Sequence, residues 1–239
     1  MHVIEQPNSA PWAGIIELIE AGGPVVVILL LMSVTALAII LLKIWQFAAF
    51  QLGDRKTARE ALTLHRSGRS AEALSRAEAS RNPVAQVLAQ AIRGHRRADV
   101  DDAVVREEVV RFGSDLLQDL RSYFRPLEVI ASLAPLLGLF GTVLGMIDAF
   151  RQLESAGNQV DPSILSGGIW VALLTTAVGL AVAIPVVAIL NWLETRIDRV
   201  AHEMNSVVTQ VFTEDLTVEP DREAPRSNAR FAATLHASR

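Results

Sequence analysis

The chain has no cysteine, a single tyrosine and few aromatic residues of any kind. The absence of cysteine excludes disulfide bonds and thiolate metal sites. The histidines show no metal-ligand spacing and no basic tract indicates nucleic-acid binding, so we expect neither a metal nor another cofactor. At 51% hydrophobic residues the chain is too apolar for an ordinary soluble domain. Its composition predicts a membrane protein.

Ionisable side chains are missing from the two most informative apolar stretches. These stretches are LAPLLGLFGTVLGM at 133–146 and ALLTTAVGLAVAIP at 172–185. Both carry hydroxyls and glycines instead. A proton relay inside a membrane normally uses Asp, Glu or His within the span. Any titrating group must therefore come from another polypeptide.

Three apolar segments are long enough to cross a bilayer. We predict an all-α membrane protein with three transmembrane helices and long cytoplasmic helical extensions. The predicted order is a periplasmic N-terminus with an interfacial helix at 1–23, spans at 24–45, 127–150 and 163–193, cytoplasmic helical regions at 46–126 and 194–217, a periplasmic loop at 151–162 and a disordered tail at 218–239. Basic residues concentrate in the large loop and the tail, which the positive-inside rule places in the cytoplasm.

Helix boundaries follow from local signals. Lys43 and Trp45 indicate the cytoplasmic interface after the first span. Asn82 and Pro83 break an alanine-rich helical segment. Asp161 and Pro162 are typical of the start of a helix, with Asp as N-cap and Pro at the first helical position.

Two helical stripes lead from the spans into charged regions. The first runs from Val105 to Phe124 and continues without a break into the second span, so it predicts one long helix, bent at Pro126 or Pro135. The second runs from Leu193 to Val211 and predicts that the third span continues outside the lipid as an amphipathic helix.

Small residues recur at helical spacing in the second and third spans. In lipid, helices associate through close packing of such faces, so each stripe predicts an intimate helix contact within the chain or an oligomer. For any single glycine, packing alone is the favoured interpretation. The predicted packing positions are Gly138, Gly141, Gly145, Gly168 and Gly179.

Thr142, Thr175 and Thr176 lie among these small residues. A threonine is tolerated in a membrane helix when it bonds back to its own helix, which explains each one separately. Three on two adjacent faces favour a pore-lining or subunit-lining role over packing alone. Pro135 and Pro185 are predicted helix kinks, and the carbonyls they free are tolerated in buried or wet surroundings.

The segment GLFGTVLGM at 138–146, and residues 168–185 with Asn191, resemble signatures of the MotA/TolQ/ExbB proton channel family, closest to its three-span ExbB and TolQ members. The resemblance covers about residues 12–215. It implies a bacterial inner-membrane homopentamer around two single-span ExbD- or TolR-like subunits, whose Asp carries the proton. It also implies a TonB- or TolA-like partner that receives the energy of proton flow.

The resemblance maps the family's pore-facing threonines onto Thr142 and Thr176. Where ExbB and TolQ typically carry a Glu in the third span, this chain has Val171. That departure favours the partner's acid as the proton carrier. A second hypothesis is a non-conducting membrane scaffold. An enzyme is disfavoured because no set of nucleophile, base and orienting group is apparent.

Overall fold

The structure is a computed structural model that describes residues 13–54, 56–97, 99–156 and 162–213. Within these ranges the chain is all-α and contains no strand. Its helices are α1 (Ala13–Ala49), α2 (Lys56–Arg66), α3 (Ser70–Glu78), α4 (Pro83–His95), α5 (Asp102–Arg121), α6 (Phe124–Ala156) and α7 (Pro162–Phe212). The predicted N-cap Asp161 and the predicted tail at 218–239 lie outside the described residues.

Three of these helices are long and apolar enough to cross a membrane. The candidate spans are Gly22–Ala49 in α1, Phe124–Ser155 in α6 and Pro162–Phe212 in α7. This confirms the predicted all-α architecture with three transmembrane helices. The exact limits of the lipid-embedded segments, the orientation of the termini and the homopentamer stay predictions.

Helix α1 bends at Gly23, whose backbone has φ 62° and ψ −158°, just before Pro24. Glycine adopts a positive φ without the steric cost that a Cβ would bring. The bend separates a short N-terminal segment from the long apolar part of α1. It lies at the limit predicted between the N-terminal region and the first span, but the interfacial location of that first segment stays a prediction.

Asn82 organises the corner between the end of α1 and the start of α4. Its side chain is 2% exposed and its Oδ1 accepts from the Val84 amide at 2.8 Å, capping α4. Its Nδ2 donates to the Gln51 carbonyl at 2.9 Å and to the Asp54 carbonyl at 3.0 Å. The predicted helix break at Asn82 and Pro83 is confirmed.

Helix α7 is 51 residues long and continues past its apolar region among the shorter helices. There it packs against α4 and α5. The predicted stripe is confirmed. From the end of the apolar region onward, the buried residues of α7 are Leu193, Ile197, Val200, Met204, Val207, Val208 and Val211.

The predicted continuous helix from the soluble region into the second span is wrong. Helix α5 ends at Arg121 and α6 begins at Phe124. Between them Ser122 is extended, with ψ 145°, and Tyr123 has a positive φ of 65°. Pro126 does not bend a helix there, because it occupies the first turn of α6, where amide groups have no intrahelical partner in any case.

Lys43 and Trp45, the predicted markers of the interface, differ in exposure. Trp45 is 73% exposed, but the side chain of Lys43 is 0% exposed and makes hydrogen bonds to the α5–α6 junction. The acceptors lie almost eighty residues further along the chain, so local sequence carries no sign of them.

Candidate functional site

Helices α6 and α7 pack antiparallel with their small residues facing each other. A Cβ added to Gly179 would lie 2.6 Å from the Ala134 carbonyl oxygen and 3.0 Å from the Gly138 Cα. A Cβ added to Gly138 would lie 2.9 Å from the Thr175 carbonyl oxygen. At this level the backbones approach so closely that neither position has room for a side chain.

The other glycines of this α6–α7 contact show the same closeness to different degrees. A Cβ on Gly168 would lie 2.3 Å from the Ala149 Cβ, and one on Gly141 would lie 2.7 Å from the Thr175 side chain. At Gly145 the nearest atom would be the Ala172 amide nitrogen at 3.4 Å. All five predicted packing glycines therefore lie between two helices of one chain, and their role in an oligomer stays a prediction.

Thr175 is buried inside the α6–α7 contact, with 1% of its surface exposed. Its Oγ1 lies 2.8 Å from the Ala172 carbonyl oxygen of its own helix and 3.3 Å from the Gly138 carbonyl oxygen of α6. A hydroxyl has only one proton, so the shorter contact takes the stronger hydrogen bond. Thr175 thus fills the space opposite Gly141 and ties the two helices together.

Thr176 and Thr142 lie at half-buried positions. The Thr176 hydroxyl donates to the Gly138 carbonyl oxygen at 3.3 Å, and the Thr142 hydroxyl donates to the Leu139 carbonyl oxygen at 2.6 Å on its own helix. Both hydroxyls therefore have partners within the chain, and both oxygens retain lone pairs that can accept another hydrogen bond.

Pro135 and Pro185 lie inside α6 and α7, and both helices continue through them. Pro135 is half-buried and follows Ala134, whose carbonyl faces Gly179. Pro185 is exposed on α7. Whether either proline serves as a functional kink stays a prediction.

Charged groups lie where α6 and α7 meet the end of α5. The Arg121 guanidinium pairs with the Asp198 carboxylate at 2.8 Å. Arg125 and Glu128 approach to 3.5 Å. These residues surround a cleft of about 420 Å³ that Glu194 also lines. At the other end of α6, the Asp148 carboxylate accepts from the Gln152 amide at 2.7 Å.

The apolar parts of α6 and α7, at 129–147 and 162–193, contain no ionisable side chain. Val171, at the position where the sequence resemblance expects a Glu, is half-buried on α7. Within the described ranges, no group of three or more His, Asp or Glu residues could hold a metal ion. The polar groups that this helix pair offers are thus neutral: hydroxyls, the Asn191 amide, two indole N–H groups and backbone carbonyls.

These features define a multi-pass helical membrane protein whose second and third spans form a close-packed, hydroxyl-bearing pair with no carboxylate in their apolar parts. The model of the MotA/TolQ/ExbB proton channel family matches residues 79–206, which include α4, α5, α6 and most of α7. The chain belongs to this family.

Individual relatives agree with the family match. The chain is 38% identical over 133 residues to a putative biopolymer transport protein ExbB homolog of Methanothermobacter thermautotrophicus, covering 55% of this chain and 45% of that protein. It is 35% identical over 113 residues to biopolymer transport protein exbB1 of Vibrio cholerae, covering 44% and 49%. It thus matches about half the length of these two.

A longer match is to the biopolymer transport protein ExbB of Neisseria meningitidis. There the identity is 29% over 208 residues, covering 78% of this chain and 93% of that protein. The similarity therefore extends beyond α4–α7 to more than three quarters of the chain.

Proposed function

We propose that the chain is a channel subunit of an inner-membrane motor driven by protons. In this proposal five copies surround two single-span, ExbD- or TolR-like subunits, whose intramembrane Asp carries the proton. A TonB- or TolA-like protein then receives the energy for transport across the envelope or for its maintenance. The N-terminus faces the periplasm and the C-terminus the cytoplasm.

Family membership supports the channel role. One observation indicates that the channel also needs a partner protein. The apolar parts of α6 and α7 contain hydroxyls but no group that titrates. A threonine can pass a hydrogen bond, but it does not hold a proton as a carboxylate does. With Val171 in place of the expected Glu, the carrier has to be supplied by another polypeptide.

Thr142 and Thr176 are the proposed pore-lining groups, and Thr175 contributes mainly to the contact between the helices. Because Thr142 and Thr176 are only half-buried, each oxygen is available to a helix packed beside this chain. Thr175 is fully enclosed between α6 and α7. The two classes of threonine therefore predict different consequences of mutation.

The proposal is tested by proton flux in vesicles that contain the chain and the single-span protein that co-purifies with it. Thr142→Val and Thr176→Val should each lower partner-dependent flux by about tenfold, the effect of losing one hydrogen bond of ~1.4 kcal/mol in the conducting state. Oligomer size, measured by light scattering, should remain that of the wild type.

Thr35→Val is the matched control. The Thr35 hydroxyl donates to the Leu31 carbonyl at 2.8 Å on α1, so the variant loses a similar hydrogen bond away from α6 and α7. Its flux should equal that of the wild type. Unchanged flux in both Thr142→Val and Thr176→Val would refute the pore-lining assignment.

The alternative function is a non-conducting membrane scaffold. It is favoured by the satisfied hydroxyls of all three threonines and by the location of the glycines between helices of one chain. The two hypotheses differ in their partner. Co-purification of a single-span protein with an intramembrane Asp supports the channel, whereas an oligomer that purifies alone and passes no protons supports the scaffold.

A further inference from the structure

Lys43 is fully buried although it lies near the cytoplasmic end of a membrane helix. Its Nζ donates to the Gln46 Oε1 at 2.8 Å, the Leu120 carbonyl oxygen at 3.0 Å and the Ser122 Oγ at 3.1 Å. An ammonium group has three donors, so each one has an acceptor here. All three acceptors are neutral.

Two of these acceptors belong to the end of α5. Leu120 is in the last turn of that helix and Ser122 is its C-cap. A positive charge is favourable at a helix C-terminus, where carbonyl groups have no intrahelical partner. Lys43 therefore caps α5 from a different helix.

The chain immediately after α5 contacts the same ammonium group. The Lys43 Nζ lies 5.5 Å from the centre of the Phe124 ring and 5.8 Å from the centre of the Tyr123 ring. Tyr123 has a positive φ of 65°, which is unfavourable for a residue with a Cβ unless its surroundings hold it. Lys43 thus contacts the end of α5, Tyr123 with its unfavourable backbone conformation, and the start of α6.

Among the described helices, α1 and α5 share no extensive packing that would duplicate this connection. Helix α1 packs against α6 and α7, whereas α5 packs against α4 and α7. Burying an ammonium among neutral acceptors is a poor route to stability, because the lost hydration is only partly replaced. The burial of Lys43 is better explained by its contacts, which hold the end of α5 and the start of α6 against α1.

We propose that Lys43 is a positioning residue that locks the α5–α6 junction to the cytoplasmic end of α1. The Lys43 joint, defined as Lys43, Leu120, Ser122, Tyr123 and Phe124, keeps the cytoplasmic helices in a fixed relation to the spans. This role goes beyond proton conduction. It does not depend on which ion passes or on which partner binds.

Chemical labelling of the wild-type chain provides the first test. The sequence contains only two lysines, Lys43 and Lys56, and Lys56 is exposed at the start of α2. In membranes treated with an acetylating reagent, mass spectrometry should find Lys43 modified at least about tenfold more slowly than Lys56, as expected for local opening that costs ~1.4 kcal/mol or more. Equal rates would overturn the proposal.

Hydrogen exchange of the purified full-length chain tests the positioning role. Lys43→Met keeps the apolar stem and removes the ammonium group, so amides at 116–124 should exchange about tenfold faster, as expected from losing hydrogen bonds to a charged group. Exchange in the α6–α7 contact should not change. Lys56→Met is the matched control and should match the wild type.

A milder variant keeps the test usable if Lys43→Met folds poorly. Gln46→Leu removes the acceptor on α1 and leaves the two at the end of α5, so faster exchange should again be confined to 116–124. Wild-type exchange there in both variants would overturn the proposal. So would an increase spread evenly over α1 to α7, because it would show that Lys43 contributes only general stability.

Discussion

At the scale of single residues, the α6–α7 contact depends on positions where nothing larger than hydrogen fits. Gly179 faces the Ala134 carbonyl and the Gly138 backbone, and both are parts of a helix that cannot yield as a flexible side chain can. Thr175 contributes the opposite property, since it fills the space that Gly141 leaves. Small and larger residues thus alternate across the contact, as close packing in lipid requires.

Gly179→Ala should destabilise the folded chain by about 1–3 kcal/mol, because its methyl group would force the helices apart. The matched control is Gly167→Ala on the same helix, where an added Cβ meets nothing within 4 Å. Thermal unfolding of the purified protein in detergent compares them. A lower midpoint is expected for Gly179→Ala only, and equal midpoints would contradict the contact described.

Residue types alone predict part of this site. Small residues at three- and four-residue steps indicated the glycine positions, because a helix places such residues on one face. Spacing cannot tell whether the facing helix belongs to the same chain or to a neighbour. The burial of Lys43 was also beyond prediction, because two of its three acceptors come from a distant part of the sequence.

At the scale of elements, the turns between helices fix the positions of α2 to α5. Asn82 connects the start of α4 to the turn between α1 and α2, and α2 itself ends at a left-handed glycine. Gly68 has φ 80°, and the amide of Arg69 donates to the Leu64 carbonyl at 3.0 Å. This is the Schellman arrangement, which stops a helix and turns the chain.

Asn82→Ala should lower the free energy of unfolding by about 3 kcal/mol, since it removes a helix cap and leaves two backbone carbonyls without their donor. Asn205→Ala, at an exposed position of α7, is the control and should have little effect. Limited proteolysis of the purified chain should detect faster cleavage near residues 50–56 in Asn82→Ala. Equal cleavage of both variants would contradict the role of this corner.

The helices differ in how clearly the sequence indicates where they begin and end. The stripe from Leu193 to Val211 predicted the extension of α7 because its period is that of a helix packed on one side. The end of α5 was missed because Ser122 and Tyr123 are not residues that usually mark a break. The visible breaker, Pro126, falls in the first turn of α6, where proline is tolerated.

At the scale of the whole molecule, α2, α4 and the end of α7 meet around two histidines. The rings of His65 and His95 are 6.2 Å apart, and the Phe212 ring lies 5.7 Å from that of His95. His95 also approaches the Asp102 carboxylate at 3.1 Å. Burial, and secondarily the charge of His95, lower the pKa of His65.

Because the pKa of His65 is lower in the folded chain, protonation favours the unfolded state. Its contribution to stability is complete above the ordinary histidine pKa of about 6.5 and is lost as the pH falls from there towards the lowered value. The unfolding midpoint should therefore drop less between pH 7.5 and 5.5 in His65→Gln than in the wild type.

His202→Gln, at an exposed position of α7, is the control for this pH effect and should keep the wild-type drop. Midpoints of all three proteins, measured in one detergent across that pH range, check the result. An identical drop in His65→Gln and the wild type would show that other groups cause the pH dependence.

Hydropathy predicted the global plan, because a bilayer demands long apolar helices with all backbone groups paired internally. The packing of helices α2 to α5 was harder to predict from the sequence. Helix α2, for example, is short and buries mainly Ala58, Ala61 and Leu62. Three buried positions are too few for the sequence alone to show which helices α2 packs against.

The unbroken length of α7 gives the molecule a lever arm. At 1.5 Å per residue, about 50 Å separate Gly179 from Phe212. A tilt of roughly 5° about the tight contact at Gly179 would displace the far end of the helix by about 4 Å. A movement too small to disturb the packing at the pivot would therefore become a shift as large as a side chain at the histidine cluster.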